Sequence, residues 1–281
     1  MRISQKFFAG MASVVVCGGM LVFAGGVASA STTHPQGSHL GFQPPELPTF
    51  NWAGYVQNGS SGQFTAVTDK WKVSKVDPIA NGDDYYAQQL VGIGGYSGSD
   101  STLLEAGTET DDLNGAVVYE AFVETSTSGE EILSGVPVQK GNIVKATIKE
   151  TSTNEWLLEV KNTTTGRSGS VTVNYDSSEE SAEAVLARPC LEGNCTEENS
   201  GLANLASTNN VTFTTGKVST SGPGHPTWGP LMTAAGSATV DNLFMKNDAG
   251  NQIIATASNP STNDEGFTAA DGAEQPPPPS S

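Results

Sequence analysis

The sequence is short of histidine, cysteine and basic residues, and each shortage narrows what the chain can do. Only His34, His39 and His225 occur in 281 residues. Two lie in a Pro-containing N-terminal stretch and the third in "GPGHPTWG", a turn-like loop, so neither an HExxH zinc motif nor a Ser-His-Asp triad assembles from them. No CxxC is present either, and no metal or cofactor is expected. Lys and Arg total 13 against 30 Asp and Glu, a formal charge of −17. That balance excludes nucleic acid and anionic membranes as partners. It suits a protein working in acid, where many carboxylates are protonated and net charge shrinks.

Of the three cysteines, Cys17 lies in an apolar stretch from Phe7 to Val27, preceded by Arg2 and Lys6 and followed by Ala28-Ser29-Ala30. This is the pattern of a secretory signal peptide, residues 1–30, with a membrane anchor as the alternative. The expected mature chain starts near Ser31, is secreted and leaves the membrane. Cys190 and Cys195, in "CLEGNC", then read as a small loop-closing disulfide in an oxidising compartment.

Residues 31–49 are Pro-rich and aperiodic, a linker or removable propeptide. Residues 258–281 are acidic and end in a Pro run, which reads as a disordered tail. Between them, residues 50–257 form one domain. Helix signals are nearly absent there. Short Val, Ile, Thr and Tyr-rich segments recur instead, among them "NWAGYVQ", "YYAQQLVGIGG", "STLLEAGTET", "GAVVYEAFVE" and "SAEAVLARP". In the clearest hairpin, alternation enters through Trp156, Leu158 and Val160, turns near Thr164-Thr165-Gly166 and returns through Val171, Val173 and Tyr175. About a dozen such strands predict an all-β fold, an antiparallel β-sandwich of two face-packed sheets, with one outer face free to carry a site. Asn162 in "NTTTG" matches a glycosylation acceptor, although a turn alone explains it.

The ordered motifs "NWAGYV", "LVGIGG", "LLEAGT", "VYEAFVE", "NTTTG", "SAEAVLARP" and "LANLA" resemble the glutamic peptidases, or eqolisins, from Asn51 to about Ala255. The resemblance implies a concanavalin A-like sandwich and an acid endopeptidase acting on polypeptides without metal or cofactor. In that family a glutamate takes a proton from water, and a glutamine side chain hydrogen-bonds the developing oxyanion. Carried over by motif, the glutamine position holds Glu105 and the glutamate position, closing "AEAVLA", holds Ala187. Both dyad positions are then substituted.

Glu183 points to the same face as Ala187, but four residues along a strand is about 13 Å, which excludes it as a replacement base. It stays a candidate substrate contact with Trp52, whose other reading, shared with Trp71 and Trp156, is packing. Glu120 in "VYEAF" is a possible partner for Glu105, two carboxyls sharing one proton. The leading expectation is a weakened or inactive descendant that retains peptide binding. The alternatives are an acid endopeptidase using Glu105 in an altered mechanism and a carbohydrate-binding sandwich, which would need exposed aromatics on the site face.

Overall fold

A computed structural model describes residues 44–98, 100–191 and 201–280. The signal-peptide reading, His34, His39 and Cys195 lie outside them. The described residues contain no helix and eighteen strands. These are β1 (Glu46–Thr49), β2 (Trp52–Asn58), β3 (Ala66–Lys72), β4 (Asp84–Gly94), β5 (Leu103–Leu113), β6 (Ala116–Thr125), β7 (Gly129–Ile132), β8 (Ile143–Ser152) and β9 (Glu155–Asn162). The second half holds β10 (Arg167–Asn174), β11 (Ser181–Ala187), β12 (Asn204–Leu205), β13 (Asn210–Phe213), β14 (Lys217–Ser219), β15 (Gly229–Pro230), β16 (Thr239–Lys246), β17 (Ile253–Ala257) and β18 (Phe267–Asp271).

Pairing resolves these into two sheets. The first runs β7-β6-β5-β4-β11-β2-β16, all antiparallel, with β1 added parallel to β16. The second runs β10-β9-β8-β3, passes from β3 to β13 and on through β18 to β17. β17 also pairs with β16, so one strand closes the edge between the sheets.

Alternation along each strand decides what is buried where. On the first sheet Val91, Ile93, Leu104, Ala106, Ala184 and Leu186 turn inward and meet Val144, Ile148, Trp156 and Leu158 of the second. Trp71 and Trp156 belong to this core, each with its indole N–H satisfied, by Thr108 Oγ1 at 2.9 Å and by the Tyr175 carbonyl at 3.1 Å. The predicted hairpin forms with Leu158 opposite Val171 and Trp156 opposite Val173. Its turn uses Gly166 at φ 74°, a left-handed conformation that favours glycine. Asn162 is fully buried, and its Nδ2 donates to the Pro137 carbonyl and Asn142 Oδ1, both at 2.8 Å. Its side chain is therefore committed to holding the turn.

Two expected boundaries are corrected. The stretch 31–49, read as a linker, ends in β1, an edge strand that tolerates Pro48. The stretch 258–281, read as a disordered tail, contains β18, inserted between β13 and β17. Phe267 explains its order. It stacks on Phe213 at 4.6 Å and meets Tyr55 edge-on at 5.0 Å, burying one aromatic that a polar composition conceals. Cys190 is buried. The expected pairing with Cys195 falls outside the described residues.

Candidate active site

The outward residues of β4, β5 and β11 form rows across the first sheet, because residues directly opposite in a ladder share a face. Gly92 on β4 lies opposite Glu105 on one side and Glu183 on the other. With strands about 4.8 Å apart, the two glutamate backbones stand roughly 10 Å from each other with only a glycine between. Glu183 uses that space. A Cβ placed on Gly92 would overlap its Oε1 and lie 3.1 Å from its Cδ, so the carboxyl leans over the glycine. We expect Gly92→Ala to push it away, uncouple its titration from that of Glu105 and destabilise the fold by roughly 1–3 kcal/mol. Denaturant unfolding and infrared titration of protonated carboxyls measure both effects.

This register corrects three sequence expectations. Ala187 lies opposite Gln88 and Trp52, and the β5 residue of its row is Glu109, not Glu105. Glu183, excluded because of its distance from Ala187 along β11, is the residue set across from Glu105. The exclusion measured along one strand, whereas the partner is chosen across three. Glu120 lies opposite Glu109, and the residue facing Glu105 on β6 is Glu124. Trp52 offers no exposed platform: it is 1% exposed and packed with Ala187, Val185, Leu90 and Leu243. His225 is in an exposed loop away from these rows. Gly92, in "LVGIGG", lies at the centre of this row and was not among the candidate positions. A glycine inside a strand signals close approach of another group, and here that group is Glu183.

The sheet curls toward this face. Gln88 Nε2 on β4 donates to Glu130 Oε2 on β7 at 3.3 Å. In a flat sheet their backbones, three strands and four residues apart, would be separated by roughly 19 Å, while two extended side chains and the bond span roughly 13 Å. The outer face is therefore concave around Glu105.

Electrostatics inside this concavity are severe. Glu105 and Glu183 are both fully buried, and none of their four carboxyl oxygens has a hydrogen-bond partner among the described residues. Burial pushes Glu105 up to about 8. Burial also raises Glu183 well above the usual carboxylate range, and the charges of Glu105 and Asp100 raise it further. The Ser181 hydroxyl, near but outside hydrogen-bond geometry, offsets part of this. Two carboxyls so placed cannot both ionise near neutrality; the pair holds at least one proton there. Farther along the row, across Val56, Asp241 accepts a hydrogen bond from the Tyr96 hydroxyl at 3.0 Å. Among the described residues no cluster of three His, Cys, Asp or Glu side chains has metal-holding geometry.

Such a pair can take a proton from water with one oxygen and donate one to a carbonyl with another. Known proteins match the chain and its fold. The family model described as the peptidase A4 family matches residues 50–266. No curated protein matches. A solved structure of scytalido-glutamic peptidase with a transition state analog inhibitor aligns at TM-score 0.58 and 20% identity, covering 79% of this chain and 98% of that one. SCP-B, a member of the eqolisin family in complex with the tripeptide Ala-Ile-His, aligns at 0.56 and 18%, with the same coverages. Aspergilloglutamic peptidase from Aspergillus niger aligns at 0.50 and 23%, covering 66% of this chain and 99% of that one. These likenesses share the sandwich, and the family match spans the row that joins Glu105 to Glu183. The chain belongs to the peptidase A4 family.

Proposed function

We propose that this chain is an endopeptidase that hydrolyses peptide bonds with a carboxyl pair, Glu183 as base and Glu105 as proton-bearing donor. The observation that carries the reading is the row Glu105–Gly92–Glu183 on the concave face. A water between the carboxyls attacks the peptide carbonyl carbon and loses its proton to Glu183. Glu105, protonated, hydrogen-bonds the carbonyl oxygen as negative charge develops there. Glu183 then passes the proton to the leaving amine. In the singly protonated state that reacts, either carboxyl can hold the proton. A carbonyl oxygen over Glu105 selects the arrangement with Glu105 protonated, since an ionised carboxylate there would oppose the oxyanion. Glu183, whose carboxyl leans over Gly92 into the space between the strands, is then the group that takes the proton from water.

Support for a polypeptide substrate comes from the tripeptide and inhibitor complexes of the related structures. The leader-like residues 1–30 support action outside the cell. The inactive-descendant reading takes Ala187 as the vacated base position; the present reading is favoured because Glu183, not Ala187, stands in the row of Glu105. A sugar-binding role lacks support because Trp52, Phe122 and Tyr96, the aromatics of this face, are buried.

Hydrolysis of an unfolded protein between pH 2 and 9 tests the reading. Activity requires one proton on the pair, so the profile is bell-shaped, with its acidic limb above the ordinary carboxylate range. Glu105→Gln keeps a donor and removes the second carboxyl, which lowers the pKa of Glu183. The acidic limb moves down by about one pH unit or more, and activity persists. Glu105→Ala loses the donor and falls about 10²- to 10³-fold. Absence of hydrolysis in both the native chain and Glu105→Gln overturns the proposal.

A further inference from the structure

Three strands carry the pair and its intervening glycine, and the ends of all three meet at one side chain, Asp100. Just past the end of β4, the Gly95 N–H donates to Asp100 Oδ2 at 2.9 Å. Just before β5, Thr102 donates its N–H and its hydroxyl to Oδ1 at 2.8 and 2.6 Å. Ahead of β11, the Ser178 hydroxyl donates to Oδ2, and the Ser178 N–H donates to Thr102 Oγ1 at 2.9 Å. Gly94 and Gly95 turn at φ +85° and +80° to make this approach, and a Cβ on Gly94 would sit 3.2 Å from Asp100 Oδ2. The donors are neutral and come from three separate segments. One carboxylate thus sets the mutual placement of the strands bearing Gly92, Glu105 and Glu183.

Its charge bears on the same site. Burial raises the Asp100 pKa, but the bonds from Ser178, Thr102 and Gly95 outweigh burial and hold it below the usual range, so it is ionised. Glu183 is the acid that responds. The titratable groups facing Glu183 are Glu105 on β5 and Asp100. Beyond them stand Glu124 on β6 and Asp241 with Tyr96 across Val56, and Glu179 and Glu180 precede it on its own segment. Among the described residues no cation acts on it.

We propose that Asp100 is a positioning residue for the carboxyl pair, holding β4, β5 and β11 in reacting register and setting a fixed negative charge near Glu183. The inference rests on the reading of Glu105 and Glu183 as the reacting pair, and its two parts separate experimentally. Asp100→Asn removes the charge and, since its amide nitrogen cannot accept from the Gly95 or Thr102 N–H, one set of hydrogen bonds with it. The acidic limb of kcat/KM and the infrared midpoint of the buried carboxyls should both move down by about half to one pH unit. Thr102→Val and Ser178→Ala keep the charge and remove donors. For these, kcat should fall about 10- to 100-fold with KM changed less than about threefold, and the limb should stay in place.

A purely structural Asp100 would lower stability in all three variants and move neither limb nor midpoint; that result overturns the proposal. If Asp100→Asn does not fold, the same split is read from the other two, and an unchanged kcat in both overturns it. The infrared midpoint needs no turnover. A chain that hydrolyses nothing but shows the shift would refute the peptidase reading while supporting the charge role of Asp100.

Discussion

Glu183→Gln is expected to lower peptide hydrolysis at least about 10³-fold at every pH, while leaving the fold intact. The amide still fits over Gly92 but takes no proton from water. Glu105, left as the lone acid, lies under the carbonyl oxygen, where ionisation opposes the oxyanion. Removing an unpartnered buried carboxyl should also raise stability near neutrality, which separates lost chemistry from lost structure. Ala187→Glu makes the converse test. It inserts a carboxyl beside Trp52, Val185 and Leu243 in an apolar cluster, four residues from the reacting row. Activity should not rise, and the fold should lose several kcal/mol because the new group has no partner. Retention of more than a tenth of native activity by Glu183→Gln, or a gain from Ala187→Glu, would reverse the assignment.

The second large effect is a loss of stability as pH rises. Burial raises Asp69 and Glu179 to about 7 and Glu105 to about 8, and raises Glu183, Asp241 and Asp271 as well. The unfolded chain releases these protons near 4, whereas the folded chain holds them. Between those values the folded state binds more protons, so stability falls with increasing pH. The contribution is complete below about pH 4 and is lost on the way through pH 7 to 8. A fully buried carboxyl is worth about 1.4 kcal/mol for each pH unit over which its proton stays bound only in the folded state. Glu105 and Asp69 together should therefore remove at least about 4 kcal/mol between pH 4.5 and 8. Urea unfolding midpoints across that range measure it, and Glu105→Gln and Asp69→Asn should flatten the slope. A midpoint that climbs toward pH 8 would contradict the burial of these acids.

Strand existence was legible because period-two alternation is local: the segments around Trp156, Leu104 and Val91 announce their faces without knowing their neighbours. The family was legible for a related reason, since motif order survives where overall identity does not. The partner of Glu105 was not. Which residue of β11 faces it depends on two ladders, β5 with β4 and β4 with β11, and a shift of four residues in either leaves every side chain on its proper face. Alternation is blind to such a shift, so Ala187 and Glu183 are equivalent by pattern and distinct only by register. Gly92 held the missing clue, a strand glycine with no turn to explain it. β18 was missed because its five residues sit in a polar stretch and their order comes from Phe213 and Tyr55, both distant in sequence.

The placement of β18 has a consequence for how much of the chain makes a workable protein. The family match stops at residue 266, and β18 begins at Phe267. A chain trimmed to the shared region would leave β13 and β17 facing each other across an empty slot, their amides and carbonyls open to any passing extended segment. The final strand thus acts as a zip fastener, and a fragment drawn at the family boundary would invite clumping in place of the closed sandwich.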